Sequence, residues 1–335
     1  MSINEHIKEQ LSEVVSHWGI KTLNGIEKIW ETDVYRLDLP NGSKAVLKKI
    51  GEANEDNMRR HTFCHEVIRY LDDNAIPVAA PIPDLKGNSI VINNGYLYML
   101  MPYVKHEKKT FVNDPALFRS RMFNTGKSFA LMHKALACYP EDKINEHVWR
   151  APLSEEMINY RSSQMLPYLD GVDRIRVEPI LNDLVPRMNK AFRELSEQLI
   201  HRDCHYGNIL LNDNDEVAAF IDNDHFSIGP RILDVGYFLN SLLKFHPEGI
   251  LEPKEWLEFV SPFLKGYISH ISLNKAEKNA LHLATISIPM QFVGWCFETG
   301  RTELGRSMLS AMEWMYGHIE QIQSCMRESV LKKEE

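Results

Sequence analysis

The run Ile200-His201-Arg202-Asp203-Cys204-His205-Tyr206-Gly207-Asn208 leads straight into Ile209-Leu210-Leu211-Asn212. A turn at Asp213-Asn214-Asp215 follows, and the chain returns through Val217 to Ile221 and ends on Asp222-Asn223-Asp224. Two short apolar runs around an Asn/Asp turn read as a β-hairpin. The entry and exit ends of an antiparallel hairpin lie side by side. Asn208 and Asp222 are therefore expected to converge, with Asp203 on the approaching loop. A loop carboxylate beside an amide oxygen and a second carboxylate suits phosphoryl transfer. Mg²⁺ prefers hard oxygen ligands together with phosphate and water. The reaction needs positioning and charge neutralisation more than a strong base. In this reading Asn208 and Asp222 hold metal and Asp203 faces the acceptor hydroxyl.

Outward from the hairpin, the two sides of the chain differ in character. At 335 residues and ~150 residues per domain, about two domains or two lobes are expected. On the N-terminal side, Ser2 and Glu5 have capping-box spacing, and Ile3, Ile7, Leu11, Val14, Val15 and Trp18 follow at helical intervals. Strand signals come next, from Glu27 to Leu39 and from Lys44 to Ile50, with a turn at Pro40-Asn41-Gly42. A helix is expected from about Met58 to Asp73, then a hairpin with Asn94-Gly95 in its turn. After Pro102 the pattern becomes helical. Asp114-Pro115 opens one helix, a second runs from about Val177 to Leu199 with a kink at Pro186, and two more span about Lys275–Phe297 and Glu303–Met326. The expected organisation is α+β: a small β-rich lobe over 1–104, a larger helical lobe over 105–330, and a frayed tail over 331–335.

Composition narrows the function classes. Hydrophobic residues are 44% and charged residues 25%, which suits a globular protein. The formal charge of −8 argues against a nucleic-acid partner, whose footprint is a basic face. It leaves room for a cationic small molecule. The five cysteines are scattered with no CxxC pair, so a reducing cytoplasmic setting without disulfides or structural zinc is expected. No signal peptide pattern is visible, and apolar stretches such as Tyr96 to Val104 fall far short of the ~20 residues of a membrane helix.

These residues carry a resemblance. His201-Arg202-Asp203 with Asn208 matches the catalytic loop of the protein-kinase-like fold. The fuller pattern of His201, Asp203, His205, Gly207-Asn208-Ile209-Leu210, then Ile221-Asp222-Asn223-Asp224, resembles the aminoglycoside phosphotransferase and choline kinase superfamily. Gly229-Pro230-Arg231 followed by Asp234 is similar to the branch with type II homoserine kinases and spore-coat-associated kinases. The resemblance is sharp from Ile200 to Asp234 and soft elsewhere between about 25 and 300. It implies a two-lobed protein-kinase-like fold and a kinase that uses ATP, or GTP, with Mg²⁺.

It also implies roles for further residues. Ala45-Val46-Leu47-Lys48 resembles the strand whose lysine meets the nucleotide phosphates, and Glu66 on the next helix is then the partner of Lys48. Lys49 is the competing lysine, because strand alternation points it to the opposite face. Met101 and Tyr103 lie where backbone groups would hydrogen-bond adenine. His201 anchors the catalytic loop. Asp234 either caps the helix from Ile232 or braces that loop. Asp224 reaches metal or a cationic acceptor, or is a solvated turn residue. Met290, Phe292, Trp295 and Phe297 read as core, or as an acceptor pocket with Glu298. No glycine-rich phosphate loop is present, and the first turn is about Trp30-Glu31-Thr32-Asp33.

The expected function is ATP-dependent phosphorylation of a small-molecule hydroxyl, the acceptor being an aminoglycoside, an amino alcohol, a homoserine-like molecule or a sugar. A catalytically silent kinase-fold binding protein is one alternative. Another is a metallohydrolase using His201, Asp203, His205, Asp222 and His225, which leaves Asn208 and Lys48 without roles.

Overall fold

The computed structural model describes residues 5–30, 32–106, 114–145, 148–150 and 152–331. Ser2, Ile3, Glu31 and the tail beyond 331 lie outside the described residues, and with them the N-terminal capping box and part of the first turn. The chain divides into two compact units. The first holds Met1–His106, Tyr139–Val148 and Ala218–Asp224, and the second Glu107–Cys138, Trp149–Val217 and His225–Glu335. The sequence pattern gives all residues after 104 to the larger lobe. The structure instead assigns the end of the hairpin, with Asp222 and Asp224, to the first unit.

In that unit, helix α1 (Glu5–Ser16) precedes strands β1 (Gly25–Trp30), β2 (Val34–Asp38) and β3 (Lys44–Glu52). Helix α2 (Glu55–Asp73) and strands β4 (Val91–Asn93) and β5 (Tyr96–Pro102) follow. The five strands form one antiparallel sheet in the order β1-β2-β3-β5-β4. The β4–β5 turn is tight because Asn94 and Gly95 both adopt positive φ, 47° and 77°, as a two-residue hairpin requires. Alternation along β3 gives Ala45 and Leu47 to a core built on Leu11, Val14 and Val15 of α1. Ile50 enters a second cluster with Leu97, Met99 and Met58 of α2. Asn54 caps α2 by accepting the Asn57 N–H at 2.9 Å. Residues 218–224 are tied to this unit by the Phe220 N–H, which donates to the Pro77 carbonyl at 2.8 Å, and by a parallel bridge between Val78 and Phe220.

The second unit contains α3 (Pro115–Ala137), α4 (Glu155–Met165), α5 (Gly171–Phe192) and strands β6 (Gln198–Ile200) and β7 (Ile209–Leu211). After β8 (Val217–Phe220) come β9 (Ser227–Gly229), α6 (Ile232–Ser241), α7 (Pro253–Ile268), α8 (Lys275–Glu298), α9 (Thr302–Gly317) and α10 (Ile319–Val330).

Two expected helices are corrected. The helix drawn from Val177 to Leu199 is α5, which starts and ends earlier and runs through Pro179 and Pro186. Leu199 leaves it because it pairs with Ile228 in the β6–β9 ladder. The helix expected from Glu303 to Met326 is two helices, divided at His318 after Gly317. Helix α8 is long and apolar enough to cross a membrane by length and composition, against the sequence expectation, but most of that stretch is buried inside the protein. Its apolar character belongs to a core helix packed among α4, α5, α6 and α9.

The close contact of α3 with α7 depends on two glycines. A Cβ at Gly126 would lie 2.0 Å from the Phe263 carbonyl oxygen, and one at Gly266 would lie 2.0 Å from that of Phe123. Backbone meets backbone there, so neither neighbour can turn aside. Gly126→Ala is expected to lower stability by ~1–3 kcal/mol or more, read as a fall in the urea midpoint with an unchanged m-value.

Candidate active site

The centre of the second unit is a charge buried without any exposure. Asp234, on the first turn of α6, accepts the His201 N–H at Oδ2 (2.9 Å) and the Arg202 N–H at Oδ1 (2.8 Å). The His133 Nε2 lies 3.2 Å from Oδ2, and the His133 Nδ1 lies 2.8 Å from the Tyr267 hydroxyl. With the proton on Nε2, His133 donates to Asp234 and accepts from Tyr267. A buried carboxylate needs such a full set of donors, and here they include the backbone of the loop that carries Asp203. Asp234 therefore braces the loop, and no side-chain cap bond is present at the start of α6.

Held this way, the loop turns sharply. Arg202 has φ +70°, a left-handed conformation that an L-residue keeps only when its surroundings fix it. Its guanidinium lies 3.4 Å from the centre of the Trp149 ring. Burial, and then nearby Arg161, push its pKa down to about 10. The His201 Nδ1 accepts the Asp203 N–H at 3.3 Å, and the His205 Nδ1 accepts the Gly207 N–H at 3.1 Å. These nitrogens serve the loop backbone, which removes them from the transition-metal ligand set of the metallohydrolase alternative. Cys204 is fully buried, and burial raises its thiol pKa well above the usual value, as befits packing and not a nucleophile.

Asp203 and Asn208 are brought together directly. The Asn208 amide nitrogen donates to the Asp203 backbone carbonyl at 2.9 Å and to its Oδ2 at 3.0 Å. The side-chain donor is thereby used, and the amide oxygen is the Asn208 group suited to a cation. Tyr237 is buried close to Asp203, and burial, followed by the charge of that carboxylate, raises its hydroxyl pKa well above the usual value. Sequence reasoning missed Tyr237, although it stands one turn after Asp234 on α6. Phe292 packs on Tyr237 with ring centroids 5.5 Å apart, while Met290 is core. Glu298 is an exposed residue at the end of α8, held by the Gln164 amide at 2.5 Å.

Asp222 and Asp224 belong to the first unit, where they meet Lys48. The Lys48 Nζ donates to Asp222 Oδ1 and, at 2.5 Å, to Asp224 Oδ2. Burial opposes the ammonium charge, but Asp224 and then Asp222 outweigh it and hold the Lys48 pKa above the ordinary lysine value. Asp222 has φ +58°, the second strained residue among those expected at the site. Lys49 faces elsewhere, with its ammonium 3.4 Å from the centre of the Tyr96 ring and 3.6 Å from Asp33.

The expected Lys48–Glu66 pair is corrected. Glu66 is exposed on α2, and the buried face of that helix carries His61 and His65, one turn apart. Glu66 stands one position past His65, about 100° further round the helix, so it points away. The His61 Nδ1 lies 3.9 Å from Asp224 Oδ1. At the expected adenine edge, the Tyr103 N–H is already used, donating to the Lys44 carbonyl at 3.3 Å, and Met101 is in register with Val46.

Residues 22–258 match the family model described as phosphotransferase enzyme family. The chain belongs to that family. Stress response kinase A of Escherichia coli O157:H7 is 27% identical over 244 residues, covering 69% of this chain and 68% of that protein. A Salmonella typhimurium (strain LT2) relative described as serine/threonine protein kinase RdoA is 24% identical over the same length and with the same coverage. Among solved structures, amicoumacin kinase hAmiN in complex with AMP-PNP, Ca²⁺ and Ami has a TM-score of 0.64 at 18% identity, covering 93% of this chain and 96% of that one. The GDP complex of aminoglycoside 2'-phosphotransferase-IIIa has a TM-score of 0.67 at 12% identity, covering 95% and 100%. The fold is therefore the α+β, protein-kinase-like fold of these phosphotransferases, and the chain is a kinase-type enzyme.

Replacing Asp234 by alanine leaves two loop N–H groups and His133 without their acceptor. Asp234→Ala is expected to cost ~2–4 kcal/mol, measured by urea unfolding. His65, His246 and His282 are each pushed down by burial to about 4. The unfolded chain protonates them first, near 6.5. Each therefore contributes stability that is present above pH 6.5 and lost as pH falls towards 4. In His65→Gln the stability difference between pH 7 and pH 4.5 is expected to shrink by ~1–3 kcal/mol.

Proposed function

We propose that this phosphotransferase moves the γ-phosphoryl group of ATP, or of GTP, to a hydroxyl of a small molecule. The observation that carries the reading is the fixed Asp203 carboxylate, with the Asn208 amide donating to it and its loop hung on buried Asp234. A carboxylate so held orients an acceptor hydroxyl and accepts its proton as the phosphoryl group leaves the nucleotide. Lys48 brings an ammonium for the phosphate oxygens.

Asn208 and Asp222 are the residues that would hold Mg²⁺. The test of fit is the donor set itself: one amide oxygen whose nitrogen is occupied, and one carboxylate that already faces a cation, Lys48. Both are hard oxygens of the kind Mg²⁺ takes alongside phosphate and water. The chemistry a bound Mg²⁺ supplies is neutralisation of charge on the phosphate oxygens.

The small-molecule acceptor is favoured over a protein by the short run between Asp222 and Asp234. A three-residue strand, β9, and the start of α6 occupy it, leaving no activation segment to seat a peptide. A protein acceptor is the second reading, supported by the description of the Salmonella relative. An aminoglycoside, an amino alcohol, a homoserine-like molecule or a sugar are the acceptor classes to try. The acidic balance of −8 makes a cationic one a reasonable first panel.

The test is nucleotide consumption with Mg²⁺ across hydroxylated metabolites and aminoglycosides, with a generic protein substrate in parallel. Asp203→Asn is expected to lower the transfer rate by ~10²–10⁴-fold while nucleotide affinity, read by titration calorimetry, stays within about twofold. Undiminished transfer by that variant would exclude Asp203 as the group that orients and deprotonates the acceptor hydroxyl.

A further inference from the structure

The phosphate-facing lysine needs a carboxylate to fix it, and α2 does not provide one. Lys48 lies on β3 between Val34 of β2 and Met99 of β5, and its side chain is largely buried. The α2 residues buried nearby are His61 and His65. A histidine ring is neutral or cationic, never anionic, so neither can neutralise an ammonium. Neither ring nitrogen of His65 has a hydrogen-bond partner among the described residues. The carboxylate of Glu66 is on the exposed side.

We infer that Asp224 is the residue that positions Lys48, in place of a carboxylate on α2, and that Asp222 is left for the cation. Three observations carry this, and it rests on the nucleotide-dependent function proposed for the site. First, the two carboxylates on Lys48 are not equivalent. The Asp224 side chain is 8% exposed and that of Asp222 is 40% exposed. The buried one gains most from a fixed counter-charge and the open one is accessible to solvent and ions. Second, Asp224, like Asp222, lies in the same compact unit as Lys48. Residues 218–224 belong to the same compact unit as β3 and α2, through the Phe220–Pro77 hydrogen bond and the bridge to Val78. The Asn223 side chain donates to the Phe220 carbonyl at 3.0 Å, across the turn that carries Asp222. Third, the two histidines line the Asp224 side. His61 lies within 3.9 Å of the Asp224 carboxylate, and the Asp224 charge opposes the burial that lowers the pKa of both rings. A glutamate in their place would add a third acid to a site with one lysine.

The two roles for Asp224 separate in the absence of metal. Binding of a non-hydrolysable ATP analogue is measured by calorimetry for the full chain in EDTA, and again with Mg²⁺. In EDTA, Asp224→Asn is expected to weaken binding about tenfold, and Lys48→Met by a similar factor. The double variant is expected to lose no more than Lys48→Met alone, which is a coupling of the size found for contacting charged pairs. Glu66→Gln is expected to stay within twofold of the parent. If Asp224→Asn changes only the Mg²⁺ concentration needed, leaving binding in EDTA intact, Asp224 is a metal ligand and the inference is overturned. A tenfold loss in Glu66→Gln overturns it as well, and that variant remains informative should Asp224→Asn not fold. Absence of nucleotide binding by the unaltered protein, with or without Mg²⁺, instead removes the nucleotide-dependent function itself.

Discussion

A single buried carboxylate organises the second unit of the chain. Asp234 has no solvent contact, so its charge must be met by protein donors. Two of those donors are the backbone N–H groups of His201 and Arg202, and a third comes from α3 through His133. The requirement to satisfy one anion thus joins α3, α6 and the loop between β6 and β7. The turn at Arg202, with its unfavourable positive φ, is held by the same bonds. Asp203 inherits its place from that arrangement, and Asn208 then fixes its carboxylate.

The first unit solves the mirror problem, a buried cation. Lys48 sits in the middle of a sheet beside a helix whose inner face offers imidazoles. Its charge is met by the two acids that end the hairpin. Desolvation and ion pairing act in opposite directions on it, and pairing wins. The consequence is that a short piece of chain distant in sequence, 218–224, belongs to the unit of the sheet. Lys48 and the two acids that pair with it therefore belong to one compact unit.

The β-rich first unit was legible because its signals are local. Period-2 alternation, Pro40-Asn41-Gly42 and Asn94-Gly95 each specify short structure without reference to distant residues. The helices of the second unit were legible as helices but not in their limits. Leu199 continues an apolar pattern that fits α5, yet it pairs with β9, and only the partner strand decides between the two. The division at His318 likewise interrupts an apolar periodicity that continues through it.

The sequence alone determined the residue types and their order: an acid, an amide and a second acid at fixed spacing around a hairpin, on a chain with a strand lysine upstream. That spacing is covalent, so it can be read without coordinates. The tertiary structure decided who pairs with whom. It gave Lys48 to Asp222 and Asp224 and left Glu66 in solvent, and it assigned Asp234 to the loop instead of to a helix cap. Those choices depend on which faces are buried against each other. A single step along a helix turns a side chain by about 100°, enough to exchange a buried partner for an exposed one.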